Sequence, residues 1–97
     1  MLIKAGVDIS RLRPEIRKKL TRIENIMRAV DNIEMIITST YEGTHAAGSL
    51  HYANLAVDIR RDQATTYSFK EIQRFLGQDY DCVLKEDHIH IEYDPKT

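Results

Sequence analysis

Two short stretches carry the residue types that do chemistry. In "SLHYANLAVDIR", Ser49–Arg60, Asp58 stands seven residues after His51 in a small, apolar segment. In "EDHIHIEYD", Glu86–Asp94, His88 and His90 alternate with isoleucine. Ionisable groups in such surroundings are costly unless they are paired or hold something. If "LAVDIRR" and "HIHIEY" are strands, alternation puts Val57 and Ile59 on one face and Asp58 and Arg60 on the other. The same rule puts Ile89, Ile91 and Tyr93 on one face and His88, His90 and Glu92 on the other. With the two strands adjacent, Asp58 and His90 converge on the polar face, and His51 can fold over them from the preceding loop. Two imidazoles and a carboxylate suit zinc, and three protein ligands leave a fourth position for water, the arrangement of a catalytic site. Zinc brings the pKa of such a water to about 7. Proton transfer then needs a carboxylate nearby, and either Asp87 or Glu86 is placed for it. An isolated histidine pair on a strand is usually no more than a set of cross-strand partners. Both motifs together, on consistently facing strands, are what single these residues out.

The elements that must position them follow from periodicity. Ser10 to Val30 reads as the main helix, with Pro14 in its first turn and Glu15 at its positive end. Ile16, Leu20, Ile23, Met27 and Val30 recur at helical spacing and are expected in the core. Asp31-Asn32 reads as the stop. Glu34 to Ser39 is β-branched and reads as a strand. "TYEGTHAAGS" reads as a loop, and Leu55 to Arg61 as the next strand. Ser68 and Glu71 form a capping box for a second helix whose apolar face is Ile72, Phe75 and Leu76, with Gly77 as its C-cap. Asp81–Lys85 and His88–Tyr93 read as a hairpin turning near Glu86-Asp87. This order predicts an α+β fold: a small antiparallel sheet with helices packed on one face and the metal site on the other.

Bulk properties bound the function. Ninety-seven residues make a single domain, 1–97, with a limited core that a bound metal would help to stabilise. The net charge is -1. Arg11, Arg13, Arg17, Lys18, Lys19 and Arg22 crowd the first helix, but that segment lacks base-stacking aromatics, so it reads as a solvated face and a nucleic-acid binder is disfavoured. The single cysteine, Cys82, excludes an intramolecular disulfide and a cysteine-rich zinc cluster; beside Val83 and Leu84 it reads as a small buried strand residue. "MLIKAGVDIS" has no apolar run suited to a signal peptide or a membrane span, so synthesis in the cytoplasm as a soluble monomer is expected.

The paired motifs resemble those of the zinc D-alanyl-D-alanine metallopeptidases: D-Ala-D-Ala carboxypeptidases, vancomycin-resistance dipeptidases, murein endopeptidases and phage L-alanyl-D-glutamate endolysins. Their pattern is S-x-H-x6-D, followed later by a carboxylate and H-x-H or a single His. Ser49, His51 and Asp58 match the first block, with Ala56 at a position where a small residue is common. His90 matches the second zinc-binding histidine. The resemblance runs from about Ile36 to Tyr93, and "GVDISRLRPEIRKKL" resembles the leader helix of small phage-type members.

The resemblance implies a hedgehog-like zinc fold and a single Zn2+ held by His51, Asp58 and His90. It implies Asp87 as proton shuttle, with Glu86 as its rival, and His88 polarising the substrate or steadying the intermediate. The substrates would be peptidoglycan peptides. The sequence departs from the family in two places. Asn54 stands where glycine is usual, and Asn is the residue that best tolerates the left-handed backbone after Gly. Glu42 stands where many members carry a carboxylate-binding arginine. Arg60 is the candidate replacement, Arg61 a weaker one, and His45 a further possible substrate contact. No cell-wall-binding module is evident, which implies a bare catalytic domain. The lack of a leader fits a phage or prophage enzyme released through a membrane pore that another protein makes. It fits a cytoplasmic D-Ala-D-Ala carboxypeptidase or dipeptidase equally. The hedgehog signalling domain shares this type of site, so a non-catalytic zinc module is the other reading.

Overall fold

The computed structural model describes residues 1–41, 54–61 and 66–95. In chain order these form β1 (Leu2–Ile3), α1 (Pro14–Arg17), α2 (Leu20–Asp31), β2 (Ile36–Ser39), β3 (Ala56–Arg60), α3 (Thr66–Leu76), β4 (Tyr80–Leu84) and β5 (His88–Tyr93). The strands make one sheet in the order β1-β2-β3-β5-β4. Among the described residues, no helix is long and apolar enough to cross a membrane.

The α+β class is as expected, but the sheet is mixed rather than antiparallel. β2, β3, β5 and β4 pair antiparallel, while β1 lies parallel to β2. β1 feeds a helical crossover that returns the chain beside it, the connection that parallel pairing requires. At two residues, β1 is too short to show alternation in the sequence.

The helical segment also differs. It begins at Pro14 rather than Ser10, because the residue before a proline is driven to extended backbone, and Arg13 sits at φ -68, ψ 153. A tightened step follows at Lys18 and Lys19, where the Lys19 N–H donates to the Ile16 carbonyl three residues back at 3.0 Å. The expected stop holds: Asn32 adopts the left-handed conformation, φ 54, and donates to the Arg28 carbonyl at 3.0 Å. Val30, expected in the core, is exposed in the last turn of α2. Ser68 does not cap α3; the helix starts two residues earlier, so Ser68 lies in its first turn and is buried. Gly77 ends α3 as expected, at φ +77, its N–H donating to the Gln73 carbonyl at 3.2 Å.

The core lies between the helices and one face of the sheet. Ile16, Leu20, Ile23, Met27, Ile72 and Leu76 from the helices pack with Ile37, Val57, Ile59, Ile89 and Ile91 from the sheet. Cys82 is buried in this core, and burial pushes its thiol up to about 12. It is therefore neutral and unreactive near pH 7. Ile59 and Ile89 are register partners at the centre and are fully buried. Each adjoins a polar-face residue, Asp58 and His90. Ile59→Ala or Ile89→Ala is expected to cost about 2–5 kcal/mol, out of a total of roughly 5–15. Urea unfolding measures this; a loss under about 1 kcal/mol would mean that the pair does not anchor the sheet.

Candidate functional site

Alternation along β5 and β3 delivers the polar face as expected. Ile89 and Ile91 are buried while His88, His90 and Glu92 are half-buried, and Asp58 lies between the buried Val57 and Ile59. β3 and β5 are adjacent, and their register pairs Asp58 with His90, Arg60 with His88 and Ala56 with Glu92. Both strands are interior to the sheet, so each is held from two sides. A register shift between Ile37 and Ser39 sets Ser39 opposite Asp58. Such bulges re-aim side chains beside sites, and here the Thr38 hydroxyl donates to the Asp58 carbonyl at 3.4 Å.

A chain of contacts runs along this face. Asp87 Oδ1 lies 2.6 Å from His88 Nδ1. His88 Nε2 is 3.8 Å from Asp58 Oδ1, and His90 Nδ1 is 2.9 Å from the same oxygen. His90 Nε2 is 2.7 Å from Glu92 Oε1. The His90 ring is thus clamped between two carboxylates. The hydrogen bond to Asp58 raises its pKa most; burial opposes this, and Glu92 adds to the rise. The hydrogen bond from His88 lowers the pKa of the exposed Asp87, so Asp87 is a carboxylate at neutral pH, the form a general base needs.

The hairpin turn that carries Asp87 is braced from β3. The Arg61 N–H donates to the Asp87 carbonyl at 3.1 Å, and Arg61 Nη1 donates to the Lys85 carbonyl at 3.0 Å. Arg61 therefore serves the turn. Arg60 is exposed on the strand that carries Asp58, beside His88 in register. Glu86 is exposed in the turn and makes no hydrogen bond or ion pair among the described residues. At the start of β3, Asn54 takes φ 62, the left-handed backbone that makes it an acceptable substitute for glycine, and its carbonyl accepts the Arg13 N–H at 3.0 Å. His51, Ser49, His45 and Glu42 lie outside the described residues.

One feature escaped the sequence reading. Asp81, Glu92 and Asp94 bring carboxylate oxygens within 4.8 Å of one another, close enough to hold a metal ion. Asp81 is the register partner of Glu92 on β4, so the group adjoins the His90 clamp. Glu92 was legible as a member of the histidine face, two residues beyond His90. Its contact with the His90 ring was not, because that depends on rotamers. No protein-family model matches the chain, and no curated protein matches it either.

Proposed function

We propose that the chain is a zinc-dependent peptidase acting on peptidoglycan stem peptides, of the phage or prophage endolysin type. The observation that carries this reading is the meeting of Asp58 and His90 across two interior strands, with the Asp87–His88 pair beside them. Asp58 Oδ1 and His90 Nδ1 are oxygen and nitrogen donors of the types zinc takes, on a polar face; they are in direct hydrogen-bond contact at 2.9 Å and would have to part slightly to share an ion. His51 would complete the set. Zinc bound there supplies Lewis acidity and a water acidic enough to attack a carbonyl at neutral pH.

The chain's own groups do the rest. Asp87 takes the proton from the attacking water and returns it to the leaving amine. His88, held by Asp87, is placed to donate toward the substrate carbonyl. Arg60, on the Asp58 face, would bind a substrate carboxylate. Glu42 would repel the terminus of a free D-Ala-D-Ala dipeptide, which favours cleavage within a longer stem peptide.

The test is digestion of purified peptidoglycan by the zinc-loaded protein, with the new termini identified by mass spectrometry. Cleavage at the D-Ala-D-Ala bond, which releases D-Ala, or at the L-Ala-D-Glu bond, which leaves an L-Ala C-terminus and a D-Glu N-terminus, is expected and should be lost on chelation. Bound zinc without any new terminus would leave the non-catalytic zinc module, and no zinc uptake would end both readings. Faster turnover of free D-Ala-D-Ala than of peptidoglycan would favour the dipeptidase.

A further inference from the structure

We infer that the cation-rich surface of α1 and α2 is a docking face for the peptidoglycan mesh, which it holds through the free carboxylates of the stem peptides. This rests on the reading of the chain as a peptidoglycan peptidase. The twelve residues Arg11–Arg22 carry six cations, Arg11, Arg13, Arg17, Lys18, Lys19 and Arg22, against one carboxylate, Glu15, in a chain whose net charge is -1. Leu12, Ile16, Leu20 and Ile23 take the core positions, which leaves five of the six cations exposed and Lys19 half-buried. Among the described residues, Arg13, Lys18, Lys19 and Arg22 make no ion pair. Two of them are ordered by packing. Lys19 Nζ lies 4.9 Å from the centre of the Phe75 ring and 5.6 Å from that of Tyr80, and Arg22 Cζ lies 5.3 Å from the Phe75 ring centre.

This arrangement costs stability in the isolated chain. Lys18 and Arg22 are like charges at the i,i+4 spacing, which destabilises a helix. Lys19 is the N-cap of α2, whose first turn has no acidic residue, so cations gather where the helix dipole disfavours them. A surface evolved only for solvation intersperses both signs of charge. Here cations are ordered over aromatic rings and left without anions, which suits a partner rich in carboxylates. The stem peptides of peptidoglycan are such a partner, and their repetition along the mesh offers many carboxylates to one face. The core separates α1 and α2 from the polar face of Asp58 and His90, so a strand of the mesh on the basic face leaves the candidate site open to its neighbour. Holding the mesh raises the local concentration of bonds to be cut.

The test uses the whole chain with chelator, so that no bond is cut, and measures its co-sedimentation with purified peptidoglycan stripped of phosphate polymers. A neutral variant, Lys18→Gln with Lys19→Gln and Arg22→Gln, is expected to bind about tenfold more weakly, about a factor of two to three for each exposed ion pair lost. A charge-preserving variant, Lys19→Arg with Arg22→Lys, should bind as the wild type does, which guards against a folding defect in the first. Raising the ionic strength from about 0.01 M to about 1 M shortens the screening length from about 30 to about 3 Å and should release the wild type. Peptidoglycan whose carboxyl groups have been converted to neutral amides should retain little of it. Binding that survives high salt or amidation, or a neutral variant that binds as tightly as the wild type, overturns the inference. So does binding confined to walls that keep their phosphate polymers. With zinc, the neutral variant should cut a short soluble stem peptide at the wild-type rate and peptidoglycan more slowly; equal losses on both would assign the cations to the site and overturn the docking face. A wild type that binds by charge but cuts nothing leaves the docking face standing and removes the peptidase reading.

Discussion

Replacing Asp87 by Ala is expected to lower peptidoglycan hydrolysis by about 10²- to 10⁴-fold, the usual worth of a general base, while leaving the zinc content unchanged. The carboxylate is exposed and its pKa is lowered by the hydrogen bond from His88, so it is charged and open to solvent at neutral pH. That contact, at 2.6 Å, raises a second explanation: Asp87 could act only by orienting His88. Asp87→Asn separates the two. The amide keeps a hydrogen-bonding oxygen toward His88 but cannot take up a proton. Equal loss in Asn and Ala variants assigns proton transfer to Asp87, whereas an active Asn variant assigns it to orienting His88. Glu86→Ala should change turnover by no more than a few-fold. If Glu86→Ala is the inactive variant and Asp87→Ala is not, the base is one residue earlier in the turn.

The second large effect is on stability, and its sign depends on pH. In metal-free protein the pKa of His90 is raised above its ordinary 6.5, chiefly by Asp58. A raised folded-state value means that charged His90 stabilises the fold fully below about 6.5, and that this stabilisation is lost as pH rises through the folded value. Metal-free protein should therefore melt at a higher temperature near pH 6 than near pH 8. Zinc reverses the slope. It binds the deprotonated ring, so its stabilisation grows as the proton leaves. At a free zinc concentration about a hundredfold over Kd the gain is roughly 2.7 kcal/mol, or about 10 °C or more in a domain of this size. Melting curves with chelator and with zinc should thus diverge as pH rises, and His90→Ala should bring them together. Parallel curves, or a chelated protein more stable at pH 8 than at pH 6, would remove His90 from the metal site.

Much of this was legible from alternation alone. Val57, Ile59, Ile89 and Ile91 have nowhere to go but the core, which fixes the faces of Asp58, His88 and His90 before any coordinates are known. Alternation does not specify which strands are neighbours; the adjacency of β3 and β5 is seen in the register of Asp58 with His90. Asn54 was read correctly for a physical reason, since few residues tolerate the left-handed backbone it adopts. What could not be read had no pattern to carry it. β1 is two residues long, a single alternation period, so no pattern repeats in it. The step at Lys18 and Lys19 involves neither glycine nor proline. Val30 kept the helical spacing but fell in the final turn of α2, just before the chain leaves at Asn32. The clamp of Glu92 on His90 is a matter of side-chain rotamers, which strand spacing does not specify.

The order of strands also sets the order in time. β4 and β5 are joined by three residues, Lys85–Asp87, so their hairpin closes on the scale of about 1–10 µs. That early piece already carries Asp87, His88, His90 and Glu92. Asp58 must come from 32 positions away in the chain, and it arrives only when β3 docks against β5. Long closures pay their entropy before they gain contacts. The contacts of Asp87 with His88 and of His90 with Glu92 are therefore local and quick to form, while the contact of Asp58 with His90 is the product of the slower docking step. On the proposed reading, a partly folded chain would present Asp87 before the metal ligands are brought together, so activity would wait on completion of the sheet.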